Sequence, residues 1–191
     1  MTGSVGRVRI GGMALEIEAK IKVADFEGIR RRLESLSACF ESAVVQVDTF
    51  YDGCEGGLRD AGCGLRVRRE RAGSLRRSLL TYKGPRHEGP YKVREEIEFG
   101  VGDASLAGQL LERLGMSRVL VVEKQRQVAR VERCQVCLDE VKGLGRFVEI
   151  EGPSVEAVSQ VRSLLGLSEA PVIQQAYATL LSERGLGTPS D

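Results

Sequence analysis

The stretch Leu15-Glu-Ile-Glu-Ala-Lys-Ile-Lys22 decides the fold of this chain. Side chains alternate between the two faces of a strand. Glu16, Glu18, Lys20 and Lys22 therefore share one face, and Leu15, Ile17, Ala19 and Ile21 share the other. The same pattern recurs further along. Arg66 and Arg68 alternate with Leu65 and Val67, Lys124 and Arg126 alternate, and Glu149 and Glu151 alternate with Val148 and Ile150. For one strand, alternating Lys and Glu read as ordinary cross-strand pairs on a solvated face. Five or six such strands together point to a curved antiparallel sheet, with charge lining its hollow face and helices covering the other.

Strand-like runs fall at 14–22, 44–51, 63–70, 75–83, 92–101, 118–131, 135–141 and 147–151. Gly-rich or charged turns at 53–57, 71–74, 84–90 and 142–146 separate several of them. Helical patterns lie between. Asp25 would cap a helix carrying Phe26, Ile29, Leu33 and Leu36 on one face. Asp103 would cap another carrying Leu106, Leu110, Leu111 and Leu114, with Gly115 as its stop. A third starts at Ser154, and a last short one spans about 172–183. The order is α+β with a large antiparallel sheet rather than a βαβ repeat. No Walker A or GxGxxG motif occurs.

A chain of 191 residues reads as one domain, here 14–184, after a polar leader at 1–13 and before a tail at 185–191. A formal charge of +1 gives no bulk field toward nucleic acid or membrane. Tryptophan is absent, which argues against a base-stacking platform. No apolar run approaches the roughly 18 residues of a membrane span. The five cysteines, an odd number with no secretory segment, fit reduced thiols in a cytoplasmic protein. Cys134 and Cys137, three apart on a strand, face opposite ways and read as structural thiols. His87 reads as a loop residue and Arg30-Arg31-Arg32 as a solvated helix face.

Alternation gathers Glu16, Glu18, Glu96, Glu98, Asp139, Glu149 and Glu151 with Lys20, Arg66, Arg68, Lys83, Arg94, Lys124 and Arg126 on the hollow face. Carboxylates suit hard Mg²⁺ or Mn²⁺. Arg forks and Lys ammonium groups suit phosphate oxygens. Both together describe a site for a metal-bound polyphosphate.

Glu16-Ile-Glu-Ala-Lys20 resembles the ExExK motif that opens the CYTH domain of triphosphate tunnel metalloenzymes. Further blocks resemble the family in order: Gln46-Val-Asp-Thr-Phe-Tyr-Asp52, Leu58-Arg59 with Gly64-Leu-Arg-Val-Arg68, Leu80-Thr-Tyr-Lys-Gly84, Arg94-Glu-Glu-Ile-Glu98, Lys124-Gln-Arg126 and the acidic block from Leu138 to Glu151. The resemblance covers about 14–181. It implies an eight-stranded antiparallel β-barrel, open as a tunnel, with helices packed outside. It implies metal, Mg²⁺ or Mn²⁺, held by Glu16, Glu18, Asp139, Glu149 and Glu151. It implies triphosphate held by Lys20, Arg66, Arg68, Lys83, Arg94, Lys124 and Arg126. Glu96 is an additional acidic candidate, with Glu95 and Glu98 competing for the register, since a one-residue slip swaps faces. The family holds class IV adenylate cyclases, which form cyclic AMP and pyrophosphate from ATP, and triphosphatases acting on inorganic or thiamine triphosphate. The 46–52 and 138–151 blocks look closer to the cyclase branch. A noncatalytic polyphosphate-binding module is a third reading, opposed by the retention of so many acids. The expected partner is a small-molecule triphosphate, and a homodimer is compatible with this reading.

Overall fold

The computed structural model describes the backbone of residues 7–10, 13–53 and 57–186, and side chains within these from residue 17 onward. The elements are β1 (Arg7–Ile10), β2 (Met13–Val23), α1 (Glu27–Ser35), β3 (Cys39–Phe40), β4 (Val44–Gly53), α2 (Gly57–Asp60), β5 (Gly64–Ala72), β6 (Leu75–His87) and β7 (Lys92–Val101). Then follow α3 (Ala104–Arg113), β8 (Met116–Val131), β9 (Cys134–Val141), β10 (Gly145–Gly152), α4 (Val155–Leu164) and α5 (Tyr177–Glu183).

Eight strands close a barrel in the order β2-β10-β9-β8-β4-β5-β6-β7 and back to β2. Closure depends on β2. Its residues 17–23 pair with β10 and its residues 14–18 pair with β7, so Ile17 and Glu18 are bonded on both sides. Closure removes the exposed edges that an open sheet would have to protect. β1 and β3 are short additions on β2 and β8. β1 falls within the expected leader; the rest of that leader before Met13, and residues 187–191 of the expected tail, lie outside the described residues.

The apolar rows of β2, β9 and β10 face outward, where helices cover them, whereas Ile97 and Phe99 on β7 are more than half exposed. Under α1 and α4, Ala19, Ile21, Val136, Val148 and Ile150 meet Ile29, Leu33, Val158 and Val161. Ser154 caps α4, its hydroxyl accepting from the Ala157 amide, and Asp103 caps α3 by accepting from the Ser105 and Leu106 amides. α1 differs from expectation. Its cap position is Phe26, and Asp25 instead accepts from the Glu27 amide at 2.9 Å.

α3 also corrects the reading of its leucines. Only Leu111 is buried; Leu106, Leu110 and Leu114 are each more than 60 % exposed. The helix lies on β5 and β6, with Leu111, Ala104 and Ala107 in one apolar cluster with Leu65, Val67, Leu80 and the Tyr51 side chain of β4. Gly108 lets it approach so closely that a Cβ there would collide with the Tyr51 hydroxyl. The small residues thus face the barrel and three of the four leucines face water. The last helix is also shorter than expected, because residues 170–176 form an irregular strap that reaches α5.

Cys134 and Cys137 do point opposite ways, Cys134 into the helix-covered core and Cys137 onto the face that carries Asp139. Both are free thiols, as are Cys39 and Cys63. Where β10 ends, Gly152 passes so near Cys134 and α4 that an added Cβ would lie 2.7 Å from Cys134 Sγ and 2.9 Å from Val158 Cγ2. Overpacking of this kind costs about 1–3 kcal/mol. Gly152→Ala should therefore lower stability in denaturant unfolding by that amount. Adding Cys134→Ala should recover part of it, as a coupling of at least ~0.5 kcal/mol in a double-mutant cycle. Strict additivity would show that the Gly152–Cys134 contact is not the source of the loss.

Candidate active site

The inward rows of the eight strands meet in one cavity of about 910 Å³. β2 delivers Glu18 and Lys20, β10 delivers Glu149 and Glu151, and β8 delivers Lys124 and Arg126. From the other half, β5 delivers Arg66 and Arg68, β6 Lys83, and β7 Arg94 and Glu96. The register resolves the Glu95–Glu98 ambiguity. Glu96 and Glu98 line the cavity, while Glu95 lies beside Gly84 on the other face. The backbone of Glu16 pairs with Arg94 across β2 and β7; its side chain lies outside the described residues.

Oxygens of Glu18, Glu149 and Glu151 all lie within 4.8 Å of one another. An all-carboxylate set of this kind fits a hard divalent ion such as Mg²⁺ or Mn²⁺. Asp139, expected among the metal ligands, is not in that cluster. It is fully buried and already committed: Arg126 Nε donates to Oδ1 at 2.6 Å, Lys124 Nζ to Oδ2 at 3.1 Å and the Tyr177 hydroxyl to Oδ2 at 3.0 Å.

The acids and bases interleave. Lys20 Nζ lies 3.3 Å from Glu18 Oε1 and 3.2 Å from Glu149 Oε1. Lys92 Nζ donates to Glu18 Oε2 at 2.9 Å, Lys83 Nζ lies 3.2 Å from Glu96 Oε2, and Arg126 donates to both Asp139 and Glu149. Burial works against the charge on Lys20, but Glu18 and Glu149 outweigh it and raise its pKa. Burial likewise opposes the Glu149 carboxylate, and Lys20 and Arg126 overcome it, holding the group well below the usual range. Lys124 goes the other way: burial and then the neighbouring Arg126 lower its pKa. Burial pushes the Cys137 thiol well above its ordinary value.

Three further groups complete the wall. Asp48 on β4 accepts from Arg68 Nε at 2.6 Å and from Arg66 Nη1 at 3.2 Å. Lys92 comes from the first position of β7. Both were accessible to the alternation rule, Asp48 through the Gln46-Val-Asp-Thr-Phe row and Lys92 two residues before Arg94. Tyr177 carried no such signal. It arrives from α5, with its ring 4.2 Å from Lys20 Nζ and 5.0 Å from Lys124 Nζ. Its hydroxyl bond to Asp139, with the Lys20 Nζ bond to the Gln175 carbonyl at 3.0 Å, ties the C-terminal segment onto the cavity.

The CYTH domain matches this chain over residues 14–177. A protein of Methanocaldococcus jannaschii, MJ0240, provisionally named an adenylate cyclase, is 29 % identical over 90 % of this chain and 99 % of its own length. The solved structure of PH1819 from Pyrococcus horikoshii OT3 is 31 % identical, covers 88 % of this chain and 99 % of its own, and superposes with a TM-score of 0.78. A third, HpAC1 from Hippeastrum, was taken for an adenylyl cyclase and is described as having a dominant triphosphatase activity; it shares the fold at a TM-score of 0.66, 20 % identity and 92 % and 97 % coverage.

Glu149 touches both Lys20 and Arg126, so Glu149→Gln leaves two buried cations short of charge. Breaking a buried pair costs about 3–5 kcal/mol. Because the folded-state pKa is depressed, the contribution of Glu149 is present above its unfolded value and lost as pH falls through the folded value. The stability gap between parent and variant, followed by denaturant unfolding, should be full at pH 7 and shrink in acid. A gap that is constant with pH would exclude the charge of Glu149 as its source.

Proposed function

Because this chain belongs to the CYTH domain family, we propose that it is a metal-dependent enzyme acting on a triphosphate within the barrel, most nearly as a class IV adenylate cyclase converting ATP to cyclic AMP and pyrophosphate. One observation carries the reading: an all-oxygen cluster of Glu18, Glu149 and Glu151 faces a wall of arginines and lysines inside a single cavity. Neither half alone would serve a polyphosphate; together they match its oxygens and its metal.

Glu18, Glu149 and Glu151 would hold the ion, which supplies Lewis-acid stabilisation of charge on phosphate oxygens and a lower pKa for the attacking hydroxyl. Lys20, Arg66, Lys83, Arg94, Lys124 and Arg126 would bind the phosphate oxygens. Several of these cations already sit against a carboxylate, so phosphate would replace a like-charged partner rather than meet a bare cation. Phosphoryl and nucleotidyl transfer depend on in-line placement and charge neutralisation more than on a strong base. That accounts for a lumen of paired ions with no histidine: the chain's sole histidine, His87, is exposed at the end of β6. The four described thiols, all reduced, fit a cytoplasmic setting.

A second reading, hydrolysis of inorganic or thiamine triphosphate, draws on the triphosphatase activity attributed to the Hippeastrum protein. Both readings use the same ligands and differ in which phosphorus is attacked. Incubation with ATP, tripolyphosphate and thiamine triphosphate in Mg²⁺ or Mn²⁺, with products identified by phosphorus NMR, separates them. Cyclic AMP with pyrophosphate is the expected result; orthophosphate would favour the hydrolase, and binding without turnover a noncatalytic module. Glu18→Gln should reduce turnover at least ~100-fold with folding retained, since metal-held charge stabilisation is worth several kcal/mol. Near-parental turnover in saturating Mg²⁺ would remove Glu18 from the metal site.

A further inference from the structure

Arg66 and Arg68 occupy equivalent positions of one strand row, yet their surroundings differ. Asp48 lies directly opposite Arg68 in the β4–β5 register. It takes the side edge of the Arg68 guanidinium in a two-point fork, Oδ1 from Nε at 2.6 Å and Oδ2 from Nη2 at 2.8 Å. Both residues are buried. The remaining nitrogen, Nη1, is 3.9 Å from Glu70 Oε1. An edge spent on Asp48 is not available to a phosphate.

Arg66 is held by one point only. Its Nη1 donates to Asp48 Oδ2 at 3.2 Å, and its Nη2 stands 3.8 Å from Glu98 Oε2, too far for a hydrogen bond. Its Nε is buried and meets no acceptor among the described residues. The side edge of Arg66, Nε with Nη2, is therefore unspent where the same edge of Arg68 is taken, and such an edge matches two phosphate oxygens.

We propose that Asp48 is a positioning residue: it fixes Arg68 as a strut and, through its second oxygen, aims the open edge of Arg66 at the phosphates. Arg68 then acts as support rather than as a phosphate ligand. The proposal rests on the triphosphate reading of the cavity. Two guanidinium groups two residues apart on one face repel each other, and a single carboxylate shared between them removes that repulsion. It also spares the chain the loose placement that costs catalysis when a binding group is off by an ångström. Burial opposes the charge on Asp48, but Arg68 and Arg66 hold its carboxyl well below the usual range, so it is ionised at every working pH.

Asp48→Asn keeps an accepting oxygen but loses the charge and one arm of the fork. The expected result is a kcat lowered ~100-fold with KM unchanged or lower, because the cavity gains a net positive charge. A raised KM with kcat intact, or no change in either, would overturn the proposal. Arg68→Lys keeps the charge and removes the fork, so it should reproduce the kcat loss even if Asp48→Asn fails to fold. The double variant should be no worse than either single one; additive losses would overturn the shared route. Thermal shift with metal-free tripolyphosphate separates this proposal from the function it rests on. Arg66→Ala should abolish most of the ligand-induced rise seen in the parent, and Arg68→Lys should keep it. Parental binding with equal loss in both variants would overturn the positioning role alone. A parent with neither turnover nor tripolyphosphate binding would overturn the triphosphate reading and the positioning role with it.

Discussion

Ionised groups survive inside a protein only when each is matched by a partner at hydrogen-bonding distance, because burial penalises the charged form by several kcal/mol per ion. The lumen of this barrel is built under that constraint. Lys20 bridges Glu18 and Glu149, Arg126 bridges Asp139 and Glu149, and Asp48 bridges Arg66 and Arg68. The pairing explains why so charged an interior is compatible with a fold whose formal net charge is +1. It also sets the chemistry. A cavity whose cations are already neutralised does not attract polyanions as a bare basic groove would; on the proposed function, phosphate would exchange one set of oxygens for another.

The fold provides this arrangement through the double pairing of β2. Glu18 is bonded to β7 on one side and β10 on the other, so the strand that closes the barrel also carries the acid shared by the two halves of the site. A register slip of one residue would turn Glu18 and Lys20 out against α1 and α4 and turn Ala19 and Ile21 into the lumen. Stability of the core and geometry of the site are thus two consequences of one register.

The C-terminal segment adds a component that the barrel alone lacks. Tyr177 meets Phe147 edge to face with ring centroids 5.0 Å apart, and lies against the Lys20 and Lys124 ammonium groups. An aromatic face partly compensates a desolvated cation. Lys124, whose pKa burial and Arg126 push down, is the group most in need of it.

The strand alternation from Leu15 to Lys22, repeated at 65–68 and 148–151, determined by itself that a charged row and an apolar row would lie on opposite faces of a sheet. The period of two is local, and no tertiary contact is needed to read it. The same rule reached Lys20, Arg66, Arg68, Lys83, Lys124, Arg126, Glu149 and Glu151 as inward residues. It extends to Asp48 and Lys92 once every residue of a row is counted. What it could not reach were relations between rows. Whether Asp139 joins the carboxylate cluster or braces Arg126, whether Arg66 and Arg68 share a role, and which helix faces of α3 are dry depend on distances across the barrel. Those distances follow from closure and from how near Gly108 and Gly152 let the helices come. Tyr177 belongs wholly to that second kind. It is brought to Lys20 from 157 residues away in sequence by the strap that packs onto β2, and no periodicity in the chain encodes a contact of that range.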